Sequence, residues 1–516
     1  MKNKLKLAAF ALLLTFVSCA DLDENPVGTL TPVGFFNTIQ DVYPMIDGTY
    51  GLMASSNYYG GGLTVPLQLM SDMVDNGFEF SDYAEFSPFL VTPTNSYVKS
   101  LWTSSYQTIA TANTAIQGIS FLENGNSEEL SKAEGEARFV RGFLYYHLVR
   151  LYGNIPYIDS PDIVNPLSIK QSPPAEVYEY IIEDMNFAFE NLEMESRGNV
   201  RSRPSKGAAA AYLASIYMTL GDWEKAYEYA KWVIDNTGAL NYGLATDYQD
   251  LFRTSEQWNS REYIFVLDFT SNQTGQNPNT ATYENDNKIG PVNGVEGGAS
   301  PFGGWSMLVP HLNVYESWNA NDYRLKVSMT DSLLLDDNTD IVRPYTDFEV
   351  ARPHIAKFTR FPGEGRTTAG WRSDMDYVAF RYAEILLIAA ESANELGRSS
   401  EAIGYVNQIR GRARNAGTIN FSGGGLGVYA PSNFPEDVVP SMSGSALTNL
   451  ILEERRIELS FEWKRWYDIV RRDLGSTVFG TNGLEPQANF SQFRYLLPIP
   501  QEEMSKNKNF VQNPGY

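Results

Sequence analysis

The sequence predicts a mostly α protein: helical hairpins form a scaffold, with long irregular loops and a few short strands. Three observations carry the prediction. Apolar residues recur at spacings of three and four across 207–235 and again across 380–413, the signature of amphipathic helices. Each stretch turns at a Leu-Gly pair, Leu220-Gly221 and Leu396-Gly397, with an alanine six residues beyond the leucine, Ala226 and Ala402. Between them, 271–304 is rich in Asn, Gly and Thr and has no helical period. A stretch of that length inside a compact domain is functional or disordered.

Taken in order, the chain opens with Lys2, Lys4 and Lys6, then an apolar run from Leu7 to Val17. That is a basic region followed by a short apolar one, an export signal. It falls short of the roughly 20 apolar residues that span a bilayer. Ser18 precedes Cys19, the only cysteine. A cysteine at this boundary resembles a bacterial lipobox, although Phe16 replaces the usual leucine. The reading is cleavage before Cys19 and lipidation of it, with residues 1–18 as signal. The acidic stretch from Ala20 to Pro26 is then a tether.

Thr31-Pro32 is a candidate helix start ahead of Phe35, Phe36, Ile39 and Val42. Residues 55–62 form a glycine-rich loop carrying Tyr58 and Tyr59, and 75–98 mix aromatic and polar residues without a period. Helices are expected at 101–116, at 134–152 (ended by Gly153 and Pro156) and at 175–192. In 207–235, Ala209, Tyr212, Leu213, Ile216 and Leu220 mark one stripe; Trp223, Ala226, Ala230, Val233 and Ile234 mark the next. With glycine at the tight end and alanine in the second helix, this resembles a tetratricopeptide hairpin. Tyr382, Ile385, Leu386 and Ala389, then Ile403, Val406 and Ile409, repeat it. With helix pairs at 134–192 and 446–472, about four units would share one core. The run 261–270 reads as a buried strand, and 417–445 as a second glycine-rich excursion. The division expected is 19–235, a loop-rich ligand-binding insertion at 236–372, and 373–516.

Composition excludes several functions. With 62 acidic and 40 basic side chains the formal charge is −22. Such a chain is repelled by nucleic acid and by anionic lipid, so neither is an expected partner. No G-x-S-x-G, G-x-x-x-x-G-K or H-E-x-x-H occurs. The histidines, His147, His311 and His354, are scattered, and His147 reads as a packing residue. No cofactor is expected. A structural Ca²⁺ at Asp336, Asp337 and Asp340 is the one metal considered, but the spaced D-x-D-x-D-G loop is missing and a solvated acidic loop is the better reading. The charged run from Glu453 to Arg472 invites comparison with paired glycosidase carboxylates. Its spacings favour ion pairs within a helix instead: Glu454 and Glu458 beside Arg455, Glu462 and Asp468 toward Arg465.

Aromatic content is high, with 31 Tyr, 28 Phe and 9 Trp. Trp102, Trp223, Trp232, Trp463 and Trp466 lie on helical stripes and read as core. Tyr58, Tyr59, Tyr83, Phe86, Trp305 and Trp371 lie in stretches without a period, where a scaffold presents binding residues. Sugars offer C–H faces to such rings, and Asp72 and Asn76 could bind hydroxyls. No catalytic residue is assigned.

Several motifs, in this order, resemble one family over essentially the whole chain. They are Glu136-x-Arg138-x-x-Arg141 through Leu151-Tyr152-Gly153-x-x-Pro156; Gly221-Asp222-Trp223-x-x-Ala226; Arg381-Tyr382-Ala383-Glu384-Ile385-Leu386-Leu387; Glu454-Arg455-Arg456-x-Glu458-Leu459-x-x-Glu462-x-x-Arg465-x-x-Asp468; and Leu497-Pro498-Ile499-Pro500 with Asn513-Pro514-Gly515-Tyr516. They resemble the SusD/RagB family of nutrient-binding lipoproteins. Trp463 departs from the glycine common there. The resemblance implies a non-enzymatic, palmitate-bearing lipoprotein at the outer face of the outer membrane. Such a protein binds oligosaccharide or polysaccharide (a peptide is compatible with the family) and delivers it to a SusC-like TonB-dependent transporter. The alternatives are a periplasm-facing helical-repeat scaffold and an α-helical glycoside hydrolase.

Overall fold

The computed structural model describes residues 35–59, 61–77, 82–122, 126–161, 165–269, 289–299, 303–336, 341–361, 373–415, 418–420, 426–428 and 431–516. Cys19, the Thr31-Pro32 start, Trp371, Asp337 and Asp340 lie outside them. The fold is mostly α, as the periodicities require. The principal helices are α1 (Ile39–Met53), α2 (Thr64–Leu69), α3 (Ser96–Ser120), α4 (Ser127–Tyr152), α5 (Pro174–Asn191), α6 (Lys206–Leu220), α7 (Trp223–Asp235), α8 (Tyr382–Glu395), α9 (Ser399–Ala413), α10 (Gly444–Glu458) and α11 (Arg465–Arg471).

Local chemistry sets their ends. The Asp41 carboxylate accepts the Thr38 amide at 2.8 Å and so starts α1. Side chains of Asn95, Asn126, Ser205 and Asp222 cap α3, α4, α6 and α7. The turns inside the two hairpins use Gly221 and Gly397 at φ of +74° and +76°. That left-handed region is cheap only for glycine.

Each helix packs on the next through α3, α4, α5, α6 and α7; α8 then lies on α7, with α9 and α10 against it. Ala226, Ala230, Ala389, Ala390 and Ala393 are fully buried and let the α7–α8 region approach closely. The C-terminal motif closes this array. Asn513 donates to the carbonyls of Tyr152 at 2.9 Å and Leu497 at 2.7 Å, and the Leu497 amide donates to Leu151.

Strands occur as antiparallel pairs: β1 (Val74–Asn76) with β3 (Leu308–Pro310), β2 (Tyr263–Leu267) with β8 (Tyr377–Arg381), β4 (Met329–Thr330) with β7 (His354–Ile355), β5 (Ser332–Leu334) with β6 (Val342–Pro344), and β9 (Thr418–Asn420) with β10 (Leu426–Val428). The strand expected at 261–270 is β2, buried along its length. Its partner is unexpected: 380–381, read as helix, close β8 and lead directly into α8.

The charged run behaves differently from its helical reading. Glu462 bonds Lys357 at 2.8 Å and Arg381 at 2.7 Å rather than Arg465. Glu458 meets Arg324, Arg381 and Arg412, while Glu454 meets Arg324 at 2.6 Å and Arg410 at 2.8 Å. Arg465 leaves Asp468 to Arg455 and Arg471. Nearly all these groups are buried. A buried charge needs partners on several sides, and one helix face cannot supply them. The network therefore draws β2, β8, α9, α10 and the short helix Tyr323–Ser328 into one centre.

Candidate functional site

Most of the aromatic candidates turn inward. Tyr58 and Phe86 are wholly buried, and Tyr59 is wedged among Phe143, Tyr377 and Trp463 at ring separations of 6.3, 5.5 and 6.0 Å. The glycine-rich loop at 55–62 does exist, but its tyrosines plug the core beneath it rather than face solvent. Tyr83 is buried and stacks on Tyr97 at 3.5 Å. Asp72 is buried too, gripped by the Arg465 guanidinium through contacts of 2.8 and 2.7 Å. Burial pushes its carboxyl up, but the Arg465 charge more than offsets that and holds it below the usual range. It ties α2 to α11 and is not offered to a ligand. The tryptophans read as core behave so at Trp102, Trp463 and Trp466, which are buried, while Trp223 and Trp232 are partly covered. His147 is a packing residue, bonded to the Tyr467 hydroxyl at 2.8 Å.

Two candidates, Asn76 and Trp305, are half-buried, and the backbone places them near one end of the β1–β3 pair. Asn76 ends β1 opposite Leu308, and the next amide, Gly77, donates to the Met307 carbonyl at 3.0 Å. Only glycine fits there, since a Cβ would lie 2.2 Å from the Ser306 carbonyl oxygen. Ser306 takes a φ of +46°, a strained value for a side-chain-bearing residue.

A buried hydrogen-bond chain maintains that strain. His354 Nδ1 faces the Arg352 carbonyl at 2.9 Å, which only accepts, so Nδ1 carries the proton. His354 Nε2 then accepts from the Ser306 hydroxyl at 2.8 Å, and that oxygen accepts the Glu296 amide at 2.8 Å. Burial pushes His354 down to about 4, so the neutral ring persists at neutral pH. On β1 itself, Asp75 pairs with Arg352 at 3.2 Å and accepts the Ser87 hydroxyl at 2.8 Å. Beyond the ribbon, burial takes His311 to about 4, and its Nδ1 lies 3.2 Å from the Glu485 carboxylate. The result is a half-buried amide at the end of the ribbon and a half-buried indole three residues before β3, near the Asp75–Arg352 pair.

Sequence reading missed Gly77, Ser306, Arg352 and His354. Their roles come from a backbone angle and from contacts across long sequence separations, neither of which leaves a local pattern. Among the described residues no group of three or more His, Cys, Asp or Glu could hold a metal ion. Among them, too, no helix is long and apolar enough to cross a membrane.

Comparison with known proteins agrees with this architecture. Residues 327–516 match the model of the SusD family, and residues 39–218 match a model described as starch-binding, associating with outer membrane. A SusD-like protein P2 of Formosa agariphila is 42% identical over 529 residues, covering all of both chains. A solved laminarin-binding SusD-like protein superposes with a TM-score of 0.74 at 23% identity, over 93% of this chain and 100% of that one. The surface glycan-binding protein A of Bacteroides thetaiotaomicron, in complex with laminarihexaose, superposes with a TM-score of 0.76 at 18% identity, over 92% and 100%. The full-length likeness to the P2 protein, with the SusD family model over residues 327–516, places the chain in the SusD/RagB family.

Proposed function

We propose that this protein captures an oligosaccharide or polysaccharide at the outer membrane and passes it to a SusC-like TonB-dependent transporter, with Cys19 carrying the lipid that holds it at the cell surface. The observation that carries the reading is the placement of half-buried Trp305 and Asn76 near one end of the β1–β3 ribbon. The indole stacks on the C–H face of a sugar ring, and the amide donates to one hydroxyl while accepting from its neighbour. His354 holds the Ser306 hydroxyl next to Trp305 in the chain, and a backbone fixed before the ligand arrives saves ordering cost on binding. The full-length likeness to SusD-like proteins, some solved as glycan binders, supports the ligand class. Tyr58, Tyr59, Asp72, Tyr83 and Phe86 leave the ligand-binding set because they are buried; Asn76, Trp305 and Trp371 remain in it.

Isothermal titration of a Cys19→Ser chain against laminarihexaose, maltohexaose and a xylan fragment tests this. At least one should bind, and Trp305→Ala should weaken that binding about fivefold, the worth of one aromatic contact. Unchanged affinity would remove Trp305 from the site. The Cys19→Ser chain should bind in solution as tightly as the anchored protein, yet fail to capture glycan on cells.

A further inference from the structure

A second feature of the surface matches the chemistry of a sugar and lies outside the Trp305 ribbon. Trp258 is 61% exposed, the only exposed tryptophan among the described residues. It lies on a single 3₁₀ turn, Gln257–Asn259, that is firmly held. The buried Gln257 side chain donates from Nε2 to the Asp374 carbonyl at 2.8 Å and accepts the Asp376 amide at 3.2 Å. The indole borders a cleft of about 210 Å³ whose lining includes Asn241, Asn259, Arg201, Asp268 and Asp376.

The Asp268 and Asp376 carboxyls are neighbours in this lining. Asp376 is buried and also accepts the Phe269 amide at 3.0 Å. Burial, and then the Asp268 charge, hold the Asp376 carboxyl well above the usual range. Asp376 therefore holds a proton more readily than an ordinary carboxyl, and burial raises Asp268 beside it as well. Arg201 is occupied elsewhere: it donates to the Asn241 carbonyl at 3.0 Å and stacks on Tyr242. Among the described residues, Arg201 is the one basic residue of the lining, and Asp268 and Asp376 stand beside it.

We propose that this cleft is a second carbohydrate-binding subsite, in which Trp258 is the stacking platform and Asp268, Asp376 and the Asn259 amide take the hydroxyls of a neutral glycan. It depends on the reading above for ligand class only; no residue is shared. Two subsites on one chain favour long polysaccharides over short oligosaccharides, because the second contact becomes intramolecular.

Native affinity electrophoresis of the Cys19→Ser chain in gels of laminarin, soluble starch or arabinoxylan tests this. The variants are Trp258→Ala, Trp258→Phe, Asp268→Asn, Trp305→Ala and the double Trp258→Ala/Trp305→Ala. For a polysaccharide that retards the parent, Trp258→Ala should weaken binding about fivefold, as loss of one aromatic contact does. Trp258→Phe should restore most of it, and the double variant should bind more weakly than either single one. The exposure of Trp258 predicts an unchanged thermal midpoint for the two Trp258 variants. Retardation unaltered by Trp258→Ala but reduced by Trp305→Ala overturns the second subsite and leaves the first standing. Reduction by Trp258→Ala alone supports it and removes Trp305 from binding. Retardation by no polysaccharide overturns both.

Discussion

At the scale of single residues, backbone angle decides more than side-chain type. Trp463 stands where the family commonly has glycine, and its φ of +62° shows why glycine suits the position. The ring compensates for the strain by stacking on Phe358 at 5.6 Å. Ser306 is a second such position, and its hydroxyl depends on a neutral His354. Both His354 and His311 are pushed to about 4 in the folded protein, against a usual value near 6.5 in the unfolded chain. The unfolded chain thus binds more protons between those values. Stability is full above about pH 6.5 and falls as the pH drops toward 4. Urea midpoints measured across that window should decline, and His354→Asn should flatten the decline. The salt-bridged carboxylates Asp72 and Glu462, held below their usual values, act in the same direction but at lower pH.

At the scale of elements, the hairpin turns are the most legible part of the chain. Gly221 and Gly397 were readable as turns because a glycine ends one stripe and an alanine-bearing stripe follows. Neither has a neighbour that a methyl group would strike, so substitution tests backbone strain alone. Gly221→Ala and Gly397→Ala should each cost about 1 kcal/mol in urea unfolding, the price of a left-handed angle. Gly77→Ala should cost more and also weaken glycan binding, because its methyl group would displace the Ser306 carbonyl beside Trp305. The expected strand at 261–270 was legible as a continuous apolar run, but its pairing with 377–381 was not, since strand partners far apart in sequence share no periodic signal.

At the scale of the whole molecule, the buried ion network holds the loop-rich middle of the chain to the helical array. Arg381 alone meets Glu262, Glu458 and Glu462, all buried. Arg381→Met would leave those carboxylates short of a partner and should destabilise the protein by about 3–5 kcal/mol in denaturant unfolding. Lys99→Met, which breaks an exposed pair with Glu502, should change stability by less than about 1 kcal/mol. A similar loss in the two variants would show that the network contributes no more than a surface pair.

The sequence by itself determined the helical class, the two glycine turns, the all-buried strand and the family, because each rests on local spacing or on motifs in fixed order. Tertiary structure alone decided that Tyr58, Tyr59, Tyr83 and Phe86 face the core, that Asp72 belongs to Arg465, and that the charged run pairs across the molecule. The physical reason is common to all of them. Burial and the choice of ionic partner depend on which distant segments fold over a residue, and spacing along the chain does not carry that information.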